Sequence, residues 1–287
     1  MTARVRTAVI PVAGLGTRFL PVTKAVPKEM LPIVDRPCIE YVVAEAVAAG
    51  LDEIVFVTAR GKGAIADYFD RSPELEARLG GSPALLAEVQ RVAKMAEVVS
   101  VRQPEALGLG HAVLCAKPAV GERPFAVFLG DDIIASERPA IADLLDARQR
   151  DDEAVVCLLE VPAEDTRRYG ICAGTWNGKR MAISHMVEKP APEKAPSRFA
   201  IVGRYVLPAD IFRVLESIPR GAGGEYQLTD ALAVLASQNR CVGVAMAGER
   251  FDTGTVLGLL RASIHFTLAR PELADGMRAL LREYADR

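Results

Sequence analysis

Thr7-Ala8-Val9-Ile10-Pro11-Val12-Ala13-Gly14-Leu15-Gly16-Thr17-Arg18 is the stretch that decides the fold: an apolar, partly β-branched run that ends abruptly in a glycine turn. A strand buried on both faces reads this way, and open α/β sheets bind their ligands at the carboxyl ends of such strands. The turn is not that of a dinucleotide site. Phe19 stands where a third small residue is required, and Pro21 and Pro27 forbid the helix that should follow. A phosphate-binding GxxxxGK[ST] loop is also excluded, since Gly61-Lys62 lacks both the earlier glycine and the hydroxyl residue. What remains is a proline-stiffened segment carrying Arg18 and Lys28. Singly, each reads as a solvated loop charge. Together, beside a strand-ending glycine turn, a guanidinium and an ammonium suit a polyphosphate tail.

Outward from that stretch, short apolar runs alternate with helical patterns. Thr7 to Val12 precedes Cys38 to Ala49, Glu53 to Thr58 precedes Gly63 to Phe69, and Val98 to Arg102 precedes Gly110 to Lys117. Phe125 to Leu129, Pro139 to Gln149 and Ala154 to Val161 continue the series. Such alternation predicts an α/β fold with a mostly parallel, doubly wound sheet. Pro73 to Ala96, helix-like but broken at Gly80, Gly81 and Pro83, reads as an insertion between the second and third strands. From about Tyr169 the pattern changes. Ile171 to Ala173 and Arg180 to Val187 flank Asn177-Gly178, a strong hairpin signal, so a second, antiparallel layer is expected to start there. Phe199 to Leu207 and Cys241 to Ala247 read as strands; Ala209 to Ser217, Leu228 to Ser237 and Thr255 to Tyr284 read as helices.

A length of 287 residues fits two domains or one large α/β domain with insertions, and 50% hydrophobic residues permit a substantial core. A net charge of −2 supplies no field for holding nucleic acid, so any phosphate binding must be local. The five cysteines, Cys38, Cys115, Cys157, Cys172 and Cys241, are scattered through apolar stretches with no CxxC pair, which predicts buried thiols rather than disulfides or zinc. No run approaches the roughly 18 apolar residues of a membrane span, and the start of the chain has too few for a secretory core. A soluble, cytoplasmic protein without membrane partners is expected.

Further residues with chemistry sit at other strand ends. Gln103, in Gln103-Pro104-Glu105-Ala106-Leu107-Gly108-Leu109-Gly110-His111, reads as a polar turn or as an amide matched to a pyrimidine edge. His111, alone at a helix start, reads as structural. Gly130-Asp131-Asp132 places two carboxylates at a strand terminus, the hard oxygen ligands that Mg²⁺ prefers. Asp252, in Phe251-Asp252-Thr253-Gly254-Thr255, reads by itself as a helix cap. Glu188-Lys189-Pro190 reads by itself as a solvated pair in a turn, and Thr229 or a neighbour as the cap of the helix after the Gly221 to Asp230 turn.

Ala13-Gly14-Leu15-Gly16-Thr17-Arg18 followed by Pro27-Lys28-Glu29-Met30-Leu31-Pro32 resembles the signature of the sugar-1-phosphate nucleotidylyltransferases. The likeness runs in order from about Val9 to Leu268. The Lys-Glu-Met-Leu-Pro stretch with the later motifs is most similar to the bacterial members that act on UTP and glucose 1-phosphate. This chain has Leu129-Gly130-Asp131 where the family usually shows Leu-Pro-Asp, a backbone variation that leaves the carboxylate in place. The resemblance implies a Rossmann-like, GT-A-type fold: a single catalytic domain over 1–268, with a nucleotide-binding part over about 1–165 and an interleaved sugar-binding part over about 166–254, and a C-terminal helical segment 255–287.

It further implies that Ala13, Gly14, Gly16, Gln103 and Gly108 hold the nucleotide and that Arg18 and Lys28 meet its phosphates. Lys189 would take the sugar phosphate, with Tyr169, Gly170, Glu188, Val202 and Gly203 around the sugar. Asp131 and Asp252 would hold Mg²⁺, with Asp132 behind them or capping a helix. UTP and glucose 1-phosphate would give UDP-glucose and pyrophosphate without a Ser or Cys nucleophile. The alternatives are dTTP as the nucleotide, or a silent paralogue that binds a nucleotide sugar. Family members are usually homo-oligomers, dimeric or tetrameric.

Overall fold

The computed structural model describes residues 2–285; the outer ends of the expected spans, Met1 and residues 286–287, lie outside them. In chain order the strands are β1 (Thr7–Pro11), β2 (Pro32–Ile33), β3 (Arg36–Pro37), β4 (Glu53–Thr58), β5 (Glu97–Arg102), β6 (Phe125–Phe128) and β7 (Asp132–Ala135). They continue as β8 (Ala154–Glu160), β9 (Gly170–Asn177), β10 (Arg180–Glu188), β11 (Phe199–Leu207), β12 (Cys241–Ala245) and β13 (Glu249–Asp252). Nine form one sheet in the order β5-β4-β1-β6-β11-β8-β12-β10-β9. The expected βαβ half is there: β5, β4, β1 and β6 run parallel, with Val9 registered on Val55 and on Val127.

Two expectations need correction. The antiparallel strands do not form a second layer; they continue the same sheet. The whole sheet is mixed rather than mostly parallel, because β11 runs antiparallel to β6, β8 and β9, and β10 to β9 and β12. The physical reason is connection length. A parallel neighbour needs a crossover of a dozen or more residues, usually a helix, whereas β9 and β10 are joined only by Gly178 and Lys179 and must reverse. β12 follows β11 through helices Ile211–Ser217 and Leu228–Ser237 and pairs parallel with β8.

The centre of the sheet is buried on both faces, while the edge strands β5 and β9 are largely exposed. Ile10, Phe56 and Phe128 pack against helix Cys38–Ala48 on one side. Val9, Val55 and Val127 pack against helices Leu109–Cys115 and Leu228–Ser237 on the other. This double burial explains the near-continuous apolar strands. The insertion after β4 forms helices Pro73–Arg78 and Pro83–Ala93, broken as expected at the glycines. The C-terminal helix is two, Val256–Leu268 and Pro271–Ala285, because Pro271 has no N–H with which to continue the first. All five cysteines are free, four of them buried, and burial pushes the thiols of Cys38, Cys157 and Cys172 up to about 12. No helix among the described residues is long and apolar enough to cross a membrane.

One core feature escaped the sequence reading. Arg204 on β11 is fully buried, paired with Glu45 (Nη2 to Oε2, 2.6 Å) and lying 4.8 Å from the centroid of the Phe128 ring. Its Nη2 also donates to the main-chain oxygen of Asp132 at 2.9 Å, so the pair pins the turn that carries Asp131.

Candidate active site

The glycine turn after β1 opens a cavity of ≈ 280 Å³ at the carboxyl ends of the parallel strands. Ala13, Gly14, Lys28, Gln103, Gly108 and Asp131 all line it, joined by Glu29 and Glu225. Larger hollows of ≈ 530 Å³ against Phe212 and ≈ 680 Å³ against Trp176 contain none of the candidate site residues. Between Gly16 and Leu31 the chain folds as three short 3-10 turns rather than a helix, as its prolines dictate. Thr23 Oγ1 donates to Gly16 O at 2.8 Å, closing the loop over the Lys28 side chain. Arg18 is exposed; its Nη1 lies 3.4 Å from Gly254 O, which places the guanidinium beside the second aspartate loop.

Lys28 Nζ donates to Asp131 Oδ2 at 2.5 Å. Burial works against the charge of each partner, but their mutual attraction outweighs it. The Lys28 ammonium is held above its ordinary range and the Asp131 carboxyl below its own. Beneath them lies a pair that the sequence did not suggest: Lys62 Nζ on Glu29 Oε2 at 2.7 Å, both side chains buried. Burial raises Glu29 above the usual carboxylate range, with Lys62 and then Lys28 opposing. Lys62, discounted as a phosphate-loop lysine, therefore sits one carboxylate away from the site.

Strand pairing brings the second aspartate to the first. β13 runs antiparallel to β7 with Asp252 opposite Asp132, and Thr253 donates to Asp131 O through both its N–H (2.8 Å) and its hydroxyl (2.9 Å). Asp252 thus ends β13, a strand separate from β12. It does not cap the following helix: Thr255 Oγ1 accepts from Gly258 N–H, while Asp252 Oδ1 accepts from Gly254 N–H at 3.1 Å. The two carboxylates converge on Gly254, where a Cβ would lie 2.7 Å from Asp131 Oδ2 and 3.0 Å from Asp252 Oδ1. Only glycine keeps this cradle open. Two hard, anionic oxygens around it fit a Mg²⁺-sized cation that takes its other ligands from phosphates and water.

Asp132 points elsewhere. It is buried and paired with Arg250, and its Oδ2 has no partner among the described residues. Burial, with Asp131 beside it, pushes its carboxyl up to about 6 despite Arg250. Since it opens β7, it caps no helix; it supports the turn from behind. Arg250 Nη1 also donates to Tyr169 Oη at 3.1 Å, and a Cβ on Gly203 would lie 2.5 Å from Asp132 Oδ2, so these contacts join the aspartate turn to two of the sugar-set residues.

The rest of that set gathers where β9, β10 and β11 adjoin. Gly170 is registered on Glu188, Lys189 N–H donates to Tyr169 O at 2.9 Å, and Lys189 Nζ lies 3.1 Å from Glu188 Oε1. Val202 and Gly203 lie within β11. Thr229 does not cap its helix, whose first flanking residue is Gln227; its hydroxyl donates to Glu188 Oε2 at 2.7 Å. The Gly221 to Asp230 turn also grips the segment between Gln103 and Gly110. Gly110 N–H donates to Tyr226 O and Tyr226 N–H to Leu107 O, both at 2.8 Å. Gly108 has φ +94°, and a Cβ there would lie 2.7 Å from Glu225 Cβ.

Arg168, Arg250, Thr229 and the Lys62–Glu29 pair are the contributors that motif reading missed. Arg168 Nη2 lies 3.0 Å from Asp252 Oδ2. Its signal in the sequence was only adjacency to Tyr169-Gly170, as that of Arg250 was adjacency to Phe251-Asp252.

The sequence pattern of the nucleotidyl transferase family matches residues 7–267. The chain is 48% identical over 290 residues to UTP--glucose-1-phosphate uridylyltransferase YngB of Bacillus subtilis (strain 168), covering 100% of this chain and 98% of the relative. It is 45% identical to the UTP--glucose-1-phosphate uridylyltransferase of Staphylococcus epidermidis, covering 98% of each. Among solved structures, the UTP-bound UGPase from Acinetobacter baumannii is similar with a TM-score of 0.89 at 43% identity, over 98% of this chain and 100% of that one. UDP-glucose pyrophosphorylase complexed with UDP-glucose is similar with a TM-score of 0.84 at 38% identity, over 93% of this chain and 100% of that one.

Proposed function

The chain belongs to the nucleotidyl transferase family, and from that premise we propose that it is a UTP:glucose-1-phosphate uridylyltransferase that makes UDP-glucose and pyrophosphate. The observation that carries this reading is the convergence of Lys28, Asp131 and Asp252 around the Gly254 cradle, in a chain 45 to 48% identical to enzymes of that name. The reaction joins two polyanions. A sugar-phosphate oxygen attacks the α-phosphorus in line, a P–O bond forms, and the α–β bridging bond breaks with its electron pair leaving on pyrophosphate. The attacking phosphate dianion needs no base, so positioning and charge neutralisation are what the protein must supply.

Gln103 and Gly108 hold the base, while Ala13, Gly14 and Gly16 bring main chain to the nucleotide. Arg18 and Lys28 take the phosphates that leave, and incoming phosphate oxygens compete with Asp131 for Lys28. Lys189 takes the phosphate of the sugar, with Glu188, held by Thr229, accepting from sugar hydroxyls beside Tyr169, Gly170, Val202 and Gly203. Asp131 and Asp252 would hold Mg²⁺, which when bound neutralises charge on the reacting phosphates. Nucleotide-binding and sugar-binding parts belong to one catalytic unit, placed in the cytoplasm. A homo-oligomer is part of the same reading, supported by Val256, Leu257 and Leu260 exposed along one C-terminal helix.

Product analysis tests the assignment. With Mg²⁺ and glucose 1-phosphate, UTP should give UDP-glucose and pyrophosphate at a kcat/KM well above that of dTTP. A preference for dTTP would move the chain to thymidylyl transfer, and no turnover with either would make it a silent binder.

A further inference from the structure

Gln103 stands in the cavity wall with its main-chain N–H anchored on Thr58 O at 2.8 Å, and one end of its amide already has partners. The side-chain atom 3.1 Å from Gly108 O is also 3.1 Å from His111 Nδ1. A carbonyl oxygen only accepts, so this atom is the amide nitrogen Nε2, with both hydrogens engaged. His111 Nδ1 must then accept. That puts the ring proton on His111 Nε2, 3.8 Å from Cys115 Sγ. No donor among the described residues reaches Gln103 Oε1. The end left for a ligand is therefore an acceptor and nothing else.

The geometry points to His111 as a positioning residue that decides which pyrimidine the pocket reads. By fixing Gln103 Nε2 it presents Oε1 to an imino N–H, and so selects uracil over cytosine. This rests on the reading that Gln103 meets the base. Uracil carries a donor at N3 and pairs with Oε1. Cytosine carries an acceptor at N3, so its ring would face Oε1 lone pair to lone pair, or would have to pull Gln103 from both Gly108 and His111. A site built to hydrogen-bond one pattern rejects the other strongly, because buried polar groups are left unpaired. The histidine thus has a role although it touches no substrate.

Pyrophosphate release from the full-length enzyme with glucose 1-phosphate and Mg²⁺ tests this, comparing UTP with CTP. The wild type should prefer UTP by at least about 100-fold in kcat/KM. His111→Leu removes the acceptor and frees the amide to turn, so the UTP/CTP ratio should fall by at least about ten-fold. His111→Asn, whose Oδ1 can accept where Nδ1 did, should restore most of the ratio. An equal loss for both nucleotides in His111→Leu would overturn the inference, as would a ratio in His111→Asn no better than in His111→Leu. The wild type supplies a second test. N3-methyl-UTP, which lacks the imino hydrogen, should be used at less than about 1% of the UTP kcat/KM, and comparable use would also overturn it. Gln103→Leu separates the premise from the inference. If UTP use survives that change intact, Gln103 does not hold the base; if it collapses while His111→Leu leaves the ratio unchanged, only the part played by His111 fails.

Discussion

Lys28 Nζ lies 2.5 Å from Asp131 Oδ2, so the cation assigned to the leaving phosphates and the carboxylate assigned to the metal hold each other in place. They arrive from far apart in the chain, one on the loop after β1 and one in the turn between β6 and β7. Lys28→Met should reduce pyrophosphate release about 10²- to 10³-fold, as loss of a preorganised charge does elsewhere. The loss should appear chiefly in kcat, with the KM for glucose 1-phosphate little changed. Steady-state kinetics with each substrate varied in turn checks this; an effect confined to the sugar-phosphate KM would contradict it.

Under that pair, Lys62 and Glu29 form a buried couple whose worth depends on pH. Burial raises the Glu29 carboxyl, so its ionised form is the costly one: the favourable contribution is present below the ordinary carboxylate pKa and is lost as pH rises through the raised value. Lys62 offsets that cost. Lys62→Met should destabilise by about 3 to 5 kcal/mol at neutral pH, because it leaves an uncompensated buried charge. Urea unfolding should show a smaller gap to wild type at pH 5 than at pH 8, and adding Glu29→Gln should recover most of the loss. A gap that does not vary with pH would show that Glu29 is not the group responsible.

Gly254 leaves open the space between the two aspartates. Its φ lies outside the left-handed region, so alanine is tolerated by the main chain, but the added Cβ would lie 2.7 Å from Asp131 Oδ2. Gly254→Ala should therefore lower activity more than ten-fold, a displacement of catalytic geometry of the kind that costs up to about 10². It should also raise the Mg²⁺ concentration required, with the melting temperature barely moved. Mg²⁺ titration of activity beside thermal melts checks this; a normal Mg²⁺ requirement in a folded variant would remove the cradle.

Thr229 should act on the sugar alone. Thr229→Val keeps the shape but removes the donor to Glu188 Oε2. The KM for glucose 1-phosphate should rise about ten-fold, roughly what one hydrogen bond to a charged group contributes. The KM for UTP should stay within about two-fold, and equal rises in both would show that the change spreads through the Tyr226 contacts instead.

Much of this is legible in the sequence. Thr7 to Val12, Glu53 to Thr58 and Phe199 to Leu207 announce their strands because burial on both faces demands apolar residues throughout. Gly14, Lys28, Gln103, Gly108 and Asp131 were legible as strand-end residues and do share one cavity. The sheet's continuity was not, since β11 carries no mark of which neighbour it will pair with. Arg168, Arg250 and Lys62 were missed for one physical reason. Each is a basic residue whose partner lies 84, 118 and 33 positions away, respectively, and a charge looks the same in sequence whether solvent or a carboxylate awaits it. Thr229 was read as a cap because local helix geometry is visible in sequence and a strand across the sheet is not.

The most direct measurement is kcat/KM for pyrophosphate release from UTP and glucose 1-phosphate in Mg²⁺, for the wild type beside Asp131→Asn. Robust release by the wild type, with UDP-glucose as co-product, and a loss of at least about 10³-fold in a variant that still folds is the expected result. A folded Asp131→Asn protein that releases pyrophosphate at the wild-type rate would contradict the site, and a wild type that forms no UDP-glucose would contradict the function.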